Sequence, residues 1–434
     1  MGAVFGALLV PSFVALGAPS VALPSIARGL GVPFGALSWV LASWALCSAV
    51  AMPLFGRLSR RVGLRASLIV GVVLVAVGSI TAALSPGLGV LIAGRSVGGA
   101  GAGALIISSY ATVNARFDGA ARGRALAVVA AVVTTGSGCG TLIGGLLTAW
   151  PGWRMVLAVP ALAVLMAWPA ARLAPADRSP TARIGVGGAV LVTVVGGAMV
   201  GLLQAPATHL PFLVAAGLAL VAAVAAGLLI GHVRREPNGF VPRRIITAPY
   251  FVLAGVAGLT IFAAYYATLF AAPALIEAAT GWKAPLVGAV LLPCAAFSVL
   301  GARGAAARSG RYSITRSVVT IGVVSTAGVL LAALLPGVPA VSVLGLALTA
   351  ASFAAAQTVL FGLVPALVAR ADQDSALGLF NFLVYGGSSV GPAAVGGLSA
   401  GLPLSDALAV AAALPLLGLG AVLLGRHHAP TRPT

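Results

Sequence analysis

A succession of long uncharged apolar runs dominates this chain and limits what it can fold into. Of its 434 residues, 60% are hydrophobic and only 7% are charged, whereas a soluble globular domain carries about 25% charged residues. That leaves too little polar surface to cover a water-soluble particle of this size. Because one membrane-spanning helix takes about 20 apolar residues, the pattern predicts an all-α polytopic membrane protein.

Turn residues and charges divide the apolar runs into fourteen predicted spans. They cover 5–26, 36–56, 66–85, 88–109, 125–149, 154–171, 185–204, 211–233, 251–273, 284–302, 316–335, 340–364, 375–399 and 405–425. The first run has no basic leader and further spans follow it, so we expect a retained helix rather than a cleaved signal. No segment is typical of a soluble domain.

The basic residues are distributed unequally between alternate loops. Of the 25 Lys and Arg residues, 21 lie in one set of loops and the C-terminal tail, three lie in the opposite set (Arg28, Arg154 and Lys283), and Arg95 lies inside a span. The positive-inside rule then predicts that both termini are cytoplasmic. The net charge of +18 is therefore interpreted as a topology signal and not as a nucleic-acid-binding surface. High Ala, Gly and Arg content with a single Lys favours a bacterial source, and together with the span pattern it predicts location in a bacterial cytoplasmic membrane.

A glycine pattern occurs twice in the chain. Span 5 contains Gly136, Gly140, Gly144 and Gly145, and span 13 contains Gly387, Gly391, Pro392, Gly396 and Gly397. Upstream, Arg61-Val-Gly63 has a counterpart in Arg308-Ser-Gly310. The separation from Arg61 to Gly140 is 79 residues, similar to the 83 residues from Arg308 to Gly391. This repeat predicts two homologous six-helix bundles, 1–172 and 236–434, with two additional helices in 173–235. Such repeats around a site near the membrane midplane are typical of alternating-access transporters.

Several motifs resemble those of the major facilitator superfamily. The segment from Gly56 through Arg61 to Gly63 is similar to its loop motif, Arg95-Ser-Val-Gly98 to its helix 4 motif, and the span 5 glycines to its antiporter motif. The fourteen-helix drug:proton antiporter branch, with its multidrug and tetracycline-type exporters, is the most similar. The resemblance implies the major-facilitator fold and export of drugs or antibiotics by proton antiport with alternating access.

The sequence also departs from that family pattern. Arg60 occupies the usually acidic position of the loop motif, Thr141 replaces the proline of the antiporter motif, and Ala15 replaces the usual aspartate of the first helix. The last replacement removes a favoured residue for proton coupling. The remaining candidates for the proton pathway are Arg95, Glu277 and Asp406.

Each of these candidates also has a purely structural interpretation. Arg95 is a charge near the middle of a span, which is costly unless it faces a cavity or finds carbonyl partners. It either polarises the pathway or forms interhelical hydrogen bonds. Glu277 either carries protons, for which its carboxyl would have to be desolvated, or is a solvated residue at a helix end. Asp406 either carries protons or is an N-terminal helix residue favoured by the helix dipole.

Aromatic and polar residues inside the spans are candidates for a substrate cavity. They are Trp39, Tyr265, Tyr266, Gln357, Asn381 and Tyr385. Aromatic walls with a few polar groups suit amphipathic organic molecules, although each residue also has a packing interpretation. Conformational roles are expected for Gly56, Arg61, Gly63, Gly136, Gly140, Gly144, Gly145, Gly387, Gly391 and Pro392. The glycines favour either tight helix packing or a hinge and seal, and Pro392 predicts a kink.

The leading hypothesis is a secondary transporter that exports amphipathic small molecules, and its expected partners are protons and the lipid bilayer. An uncoupled or differently coupled metabolite carrier is an alternative, because mid-span carboxylates are missing. A membrane enzyme or sensor is more remote. The sequence has no Walker A loop and no His/Cys cluster, so we expect no nucleotide, metal or cofactor. We also expect a monomer.

Overall fold

A computed structural model describes residues 1–175, 186–207, 211–236, 243–308, 313–364, 367–368 and 373–424. The regular structure in these ranges is helical. The first part of the chain forms α1 Gly2–Leu30, α2 Ser38–Val62, α3 Leu64–Ala83, α4 Leu88–Arg116, α5 Gly119–Gly138, α6 Gly140–Ala149, α7 Trp153–Ala158 and α8 Ala167–Leu173. Short 3-10 helices at Phe34–Leu37 and Val159–Met166 precede α2 and α8.

The rest of the described chain is also helical. It comprises α9 Val186–Leu203, α10 Phe212–Arg235, α11 Arg243–Ile246, α12 Pro249–Thr280, α13 Ala284–Val290, α14 Pro293–Arg308, α15 Ile314–Leu334, α16 Pro339–Leu363, α17 Gln373–Leu398, α18 Leu404–Ala411 and α19 Ala413–Leu424. Predicted span 5 corresponds to α5 and α6, which are separated at Cys139, and predicted span 13 corresponds to α17.

Eleven helical segments of the described chain are long and apolar enough to cross a membrane, judged by length and composition. Predicted spans 5, 7 and 13 are not among them. Their apolar parts include the shorter helices Gly140–Ala149 and Val190–Leu203. The structure therefore confirms an all-α architecture with many potential spans, whereas the number fourteen stays a prediction.

The helices α1 and α12 end in the same way, although they lie far apart in sequence. Gly31 follows α1 with φ of 64° and Gly281 follows α12 with φ of 68°. A left-handed backbone conformation is strained for a residue with a Cβ atom, so glycine is suited to both positions. A charged side chain stands in the last turn of each helix, Arg28 in α1 and Glu277 in α12.

Helix packing in the first part of the chain recurs in the last part. In the first, α1 packs on α5 and α6, and α4 packs on α2 and α3. In the last, α12 packs on α17, and α16 packs on α14 and α15. We call these two groups the N-half (α1–α8) and the C-half (α12–α19). The predicted domain boundaries at residues 172 and 235 stay predictions.

The helices α9 and α10 form a pair beside the two halves. α10 packs mainly against α9, and α9 contacts α2 of the N-half and α17 of the C-half. Most large side chains of α10 are exposed, among them Leu213, Leu220 and Leu228. An exposed apolar face of this kind is what lipid would cover in a membrane-spanning helix.

The two halves contact each other along α2 and α17, and further contacts between them lie at one end of the helix bundle. We call the end where α1 and α12 begin the basic end, because most Arg residues lie there, and the other the opposite end. At the opposite end, α6 packs on α13, the 3-10 helix Phe34–Leu37 packs on α17, and α1 contacts α12. These contacts close the space between the halves at that end.

Candidate substrate cavity

A cavity of about 570 Å³ lies between the two halves. The N-half contributes residues of α1, α5 and α6 to its wall, and the C-half contributes residues of α12, α14, α16 and α17. The wall reaches Ala130, Arg303 and Thr358, which lie in the portions of their helices toward the basic end. The cavity therefore extends from the middle of the bundle toward the basic end, and the halves close it at the opposite end.

A cluster of aromatic side chains forms the C-half wall. The ring of Phe353 lies 4.7 Å from that of Tyr265 and 6.0 Å from that of Tyr266, measured between centroids, and the two tyrosine rings are 5.0 Å apart. Phe262 links this cluster to Tyr385, with ring centroids 5.9 Å apart. Aromatic pairs at these separations stabilise one another in tilted and edge-on arrangements, so the wall is a preformed apolar surface.

Four of the six predicted lining residues are on the cavity wall: Tyr265, Tyr266, Gln357 and Tyr385. Trp39 is not, because it packs with the core between α2, α12 and α17, close to α9. Asn381 is not on the wall either, and its amide donates a 3.0 Å hydrogen bond to the carbonyl of Leu377 within α17. Substrate binding by any of the six stays a prediction.

The polar groups of the cavity wall are mostly uncharged. They include the hydroxyls of Thr135, Thr141, Ser298 and Thr358. Arg303 is the only charged residue among the described residues that line this cavity. A wall of aromatic and aliphatic side chains with a few fixed polar groups suits an amphipathic organic molecule.

Arg95 lies outside this cavity and is 1% exposed. Its Nε donates to the carbonyl of Val40 at 2.8 Å, and its Nη2 donates to the carbonyl of Ala15 at 2.9 Å. The guanidinium carbon stands 4.3 Å from the ring centroid of Trp44. Arg95 therefore joins α4 to α1 and α2, and these contacts favour its structural interpretation. One of its acceptors is the backbone carbonyl of Ala15.

Glu277 joins the two halves at the opposite end. Its carboxylate accepts a 2.9 Å hydrogen bond from Nη1 of Arg28, an ion pair between α12 and α1. The side chain of Arg28 is 68% exposed and that of Glu277 is 21% exposed. Both residues line a separate recess of about 1040 Å³ at the opposite end, together with Lys283. Sequence reasoning missed this pairing, because the two residues are 249 positions apart.

Asp406 lies in the first turn of α18 and is exposed. Its carboxylate accepts a 3.3 Å hydrogen bond from the hydroxyl of the neighbouring Ser405. An acidic side chain in the first turn is favoured by the helix dipole. The position fits the structural interpretation of Asp406, and it lies neither in the central cavity nor in the recess.

Several motif glycines lie where helices of the same half touch. A Cβ atom on Gly144 would overlap the carbonyl oxygen of Ala18 in α1, and one on Gly136 would lie 2.5 Å from a methyl group of Val10. In the C-half, a Cβ atom on Gly391 would overlap the carbonyl oxygen of Ala263. Gly387 approaches Leu259 of α12 in the same way. These glycines permit close packing of α5 and α6 on α1, and of α17 on α12.

Other glycines lie where the two halves touch. A Cβ atom on Gly145 would overlap the carbonyl oxygen of Ala284. One on Gly396 would lie 2.5 Å from the carbonyl oxygen of Gly35, next to Ser38. The hydroxyl of Thr141 adds a 3.4 Å hydrogen bond to the carbonyl of Gly288. We call these residues, together with Gly35, Ser38, Ala284 and Gly288, the opposite-end seal.

Gly140 and Pro392 are less constrained than their motif positions suggest. A Cβ atom on Gly140 would meet atoms of Val14 and Ala18 at 3.7 Å, an ordinary van der Waals distance. Gly140 begins α6 after the break at Cys139. Pro392 lies inside α17, which continues as one helix on both sides of it.

The loop motif forms the turn between α2 and α3. Gly63 ends α2 with φ of 93°, and its N–H donates to the carbonyl of Ser59 at 2.9 Å. Arg61 is exposed, and a Cβ atom on Gly56 would only reach Ile107 at 3.5 Å. The counterpart Gly310 lies outside the described residues.

Sequence reasoning missed Phe353, Arg303 and Arg28 as functional candidates. Phe353 is an aromatic residue inside an apolar run, and nothing in the sequence distinguishes it from a packing residue. Arg303 follows the predicted span 284–302 directly, but it lies on α14 within the cavity wall. The described residues contain no group of three or more His, Cys, Asp or Glu that could hold a metal ion.

Comparison with known proteins places this geometry in context. Residues 5–187 match the family model described as Major Facilitator Superfamily. Multidrug resistance protein Stp of Mycobacterium tuberculosis is 29% identical over 281 residues, 64% of this chain and 52% of that protein. Methylenomycin A resistance protein of Streptomyces coelicolor is 29% identical over 287 residues, 64% of this chain and 59% of that protein. Puromycin resistance protein pur8 of Streptomyces alboniger is 33% identical over 183 residues, 40% and 36% of the two chains.

The chain thus spans about half the length of the curated relatives it matches. Among solved structures, a bacterial homologue of the human lysosomal transporter Spinster, captured inward-facing and occupied, superposes with a TM-score of 0.69 at 13% identity. The superposition covers 99% of this chain and 98% of that one. This chain therefore has the major-facilitator fold, and with its many apolar helices it is a multi-pass membrane protein.

Proposed function

We propose that this chain is a secondary transporter that exports amphipathic small molecules, including antibiotics, by proton antiport. The observation that carries the proposal is the cavity between the two halves, which has an aromatic wall and extends toward the basic end. The fold is that of transporters, and three similar proteins are named for resistance to drugs or antibiotics. In this proposal, membership of the major facilitator superfamily extends to the whole chain.

Alternating access would proceed by rocking of the N-half against the C-half. In the described state the cavity extends toward the basic end, which the positive-inside rule assigns to the cytoplasm. The opposite-end seal and the ion pair of Arg28 and Glu277 would separate to release substrate outside. The glycines of the seal suit this motion, because backbone-to-backbone contacts can separate without large side chains having to move past one another.

Proton coupling would depend on groups other than an acid in α1. Arg95 donates to the carbonyl of Ala15, and Glu277 is engaged with Arg28. Glu277 is the better candidate for coupling, because its ion pair must break whenever the opposite end opens. Protonation of the freed carboxylate would then be linked to the outward-open state.

An uncoupled carrier is the second candidate function. The observation favouring it is that none of the described residues lining the central cavity is acidic. A substrate could then move down its own gradient while no proton passes. The experiment that tests the leading proposal also separates it from this one.

The test uses purified protein in liposomes that enclose a pH-sensitive dye. We would impose a pH gradient and add puromycin, a tetracycline, an amphipathic cation and an amphipathic acid, and follow both compound and proton movement. Compound movement accompanied by proton flux supports antiport. Compound movement without proton flux replaces antiport with the carrier function, and no movement of any compound overturns the proposed transport of amphipathic molecules.

A matched pair of variants on α16 connects transport with the aromatic wall. Phe353→Ala removes the ring at the centre of the cluster and should lower apparent substrate affinity by about tenfold, corresponding to about 1.4 kcal/mol. Phe361 lies on the same helix, packs edge-on against Phe380 with ring centroids 5.2 Å apart, and does not line the cavity. Phe361→Ala should leave the affinity within about twofold. Equal losses in the two variants would contradict a role for the cavity wall.

A further inference from the structure

The charge distribution of the central cavity points to a substrate class that the proposed function leaves open. Its described wall has one charged residue, Arg303, and no carboxylate. A cavity for organic cations would be expected to offer a carboxylate or another anion, since an unpaired cation is repelled by a cationic wall. The charged residue of this wall, Arg303, is instead a cation.

Arg303 is available to a ligand. It is exposed, and it forms no hydrogen bond or ion pair with any residue that the structure describes. Arg95 differs in both respects, because it is buried and its guanidinium is held by two carbonyls. A free guanidinium at the rim of an apolar cavity is suited to bidentate binding of a carboxylate, sulfonate or phosphate.

The separation of Arg303 from the aromatic wall matches an amphipathic molecule. Cys294 and Arg303 both line the cavity on α14, nine residues apart, which corresponds to about 13 Å along the helix. Cys294 packs in the same cluster as Tyr265, Tyr266 and Phe353. A molecule with an aromatic body and an acidic group at one end can therefore contact the ring cluster and reach toward Arg303.

We infer that the central cavity selects aromatic or otherwise amphipathic acids over amphipathic amines, and that Arg303 determines this selectivity. The inference rests on the proposed function for the identity of the site. Neutral amphipathic compounds also fit the wall, and they rank between the acids and the amines. The Arg95 charge takes no part, because it lies outside the cavity.

The experiment compares three ligands that share one aromatic body: naphthoate, naphthalenemethanol and naphthylmethylamine. Equilibrium binding is measured on the purified full chain by titration calorimetry, and transport is measured in liposomes. We expect naphthoate to bind about fivefold more tightly than the amine, the effect of one partly solvated ion pair. Arg303→Glu should reverse this order, and Arg303→Lys should keep it.

A control on the same helix isolates the effect of position from that of net charge. Arg308 is exposed, donates to the carbonyl of Gly304 at 3.1 Å and does not line the cavity. Arg308→Glu makes the same charge change as Arg303→Glu and should leave the preference for naphthoate intact. A reversal in Arg308→Glu equal to that in Arg303→Glu would overturn the assignment to Arg303, since bulk charge would then explain it.

Failure of this inference is distinguishable from failure of the proposed function. If none of the three ligands is bound or transported, and puromycin and the tetracycline are not transported either, the transport proposal is wrong. If the alcohol is bound and transported but the acid shows no advantage over the amine, transport stands and the acid selectivity is overturned. A preference for the acid that persists in Arg303→Glu overturns the role of Arg303.

Discussion

Two sets of glycines in α6 and α17 differ in what they touch. Gly144 and Gly391 pack against helices of their own half, α1 and α12, where a Cβ atom would overlap a backbone carbonyl. Gly145 and Gly396 lie on the same helices but pack against the other half. Neighbouring residues of one motif thus serve different contacts. The first set holds each half together, and the second set determines how closely the halves approach each other.

The largest expected effect comes from a side chain placed within a half. Gly391→Ala should reduce the free energy of unfolding by about 3 kcal/mol, because the methyl group meets the backbone of Ala263 and α17 must move away from α12. Thermal unfolding of the purified protein in detergent measures this loss.

Gly386 provides the control on the same helix, since a Cβ atom there meets no atom within 4 Å. Gly386→Ala should be neutral or stabilising by up to about 1 kcal/mol, the difference in helix propensity. Equal thermal stabilities of Gly386→Ala and Gly391→Ala would contradict the role of Gly391 in close packing of α17 on α12.

The second effect comes from a side chain placed between the halves. Gly145→Ala should leave each half folded and destabilise only the state with the opposite end closed, by about 1–3 kcal/mol. That shifts the population of the open state by about 5- to 150-fold. Ser38 is fully buried in the opposite-end seal, so a Ser38→Cys reporter measures the shift through its labelling by a membrane-impermeant maleimide.

The reporter separates the two glycine sets directly. Labelling of Ser38→Cys should increase in Gly145→Ala while the thermal stability changes little. The native cysteines Cys47, Cys139 and Cys294 are replaced by Ser or Ala in the background used for all comparisons. Unchanged labelling together with a large loss of thermal stability would mean that Gly145 belongs with Gly391 and not with the seal.

A smaller effect is expected from the exposed ion pair. Glu277→Gln should weaken the closed state by less than about 1 kcal/mol, because exposed pairs contribute little and are screened by salt. Ser38→Cys labelling should therefore increase by only about threefold. The double variant Arg28→Glu with Glu277→Arg should restore the original labelling at low salt, and a failure to restore it would argue against direct pairing.

The smallest effect is expected at Gly140. A methyl group there would lie 3.7 Å from its nearest neighbours, so Gly140→Ala should change the free energy of unfolding by less than about 0.5 kcal/mol and preserve transport. A complete loss of transport in a stable Gly140→Ala protein would show that Gly140 moves into close contact in another state. Gly140 would then count among the residues of the opposite-end seal.

Much of the fold was predictable from sequence, because the bilayer admits few solutions. Apolar runs of this length can satisfy their backbone hydrogen bonds only as helices, and the repeated glycine motifs indicated two similar bundles. The lining role of Tyr265, Tyr266 and Tyr385 could also be proposed, as aromatic residues inside spans. Trp39 and Asn381 met the same criterion, and only their contacts with the core and with Leu377 set them apart.

The sequence by itself determined the apolar helices, the concentration of charge at one end and the positions of the small residues. Those properties depend on composition and short-range spacing. Only the tertiary structure decided that Gly144 faces its own half and Gly145 the other, since consecutive helical residues point about 100° apart toward neighbours the chain order does not specify. It likewise decided that Arg95 is held by carbonyls whereas Arg303 lines the cavity, because the surroundings of a charge are set by helices distant in sequence.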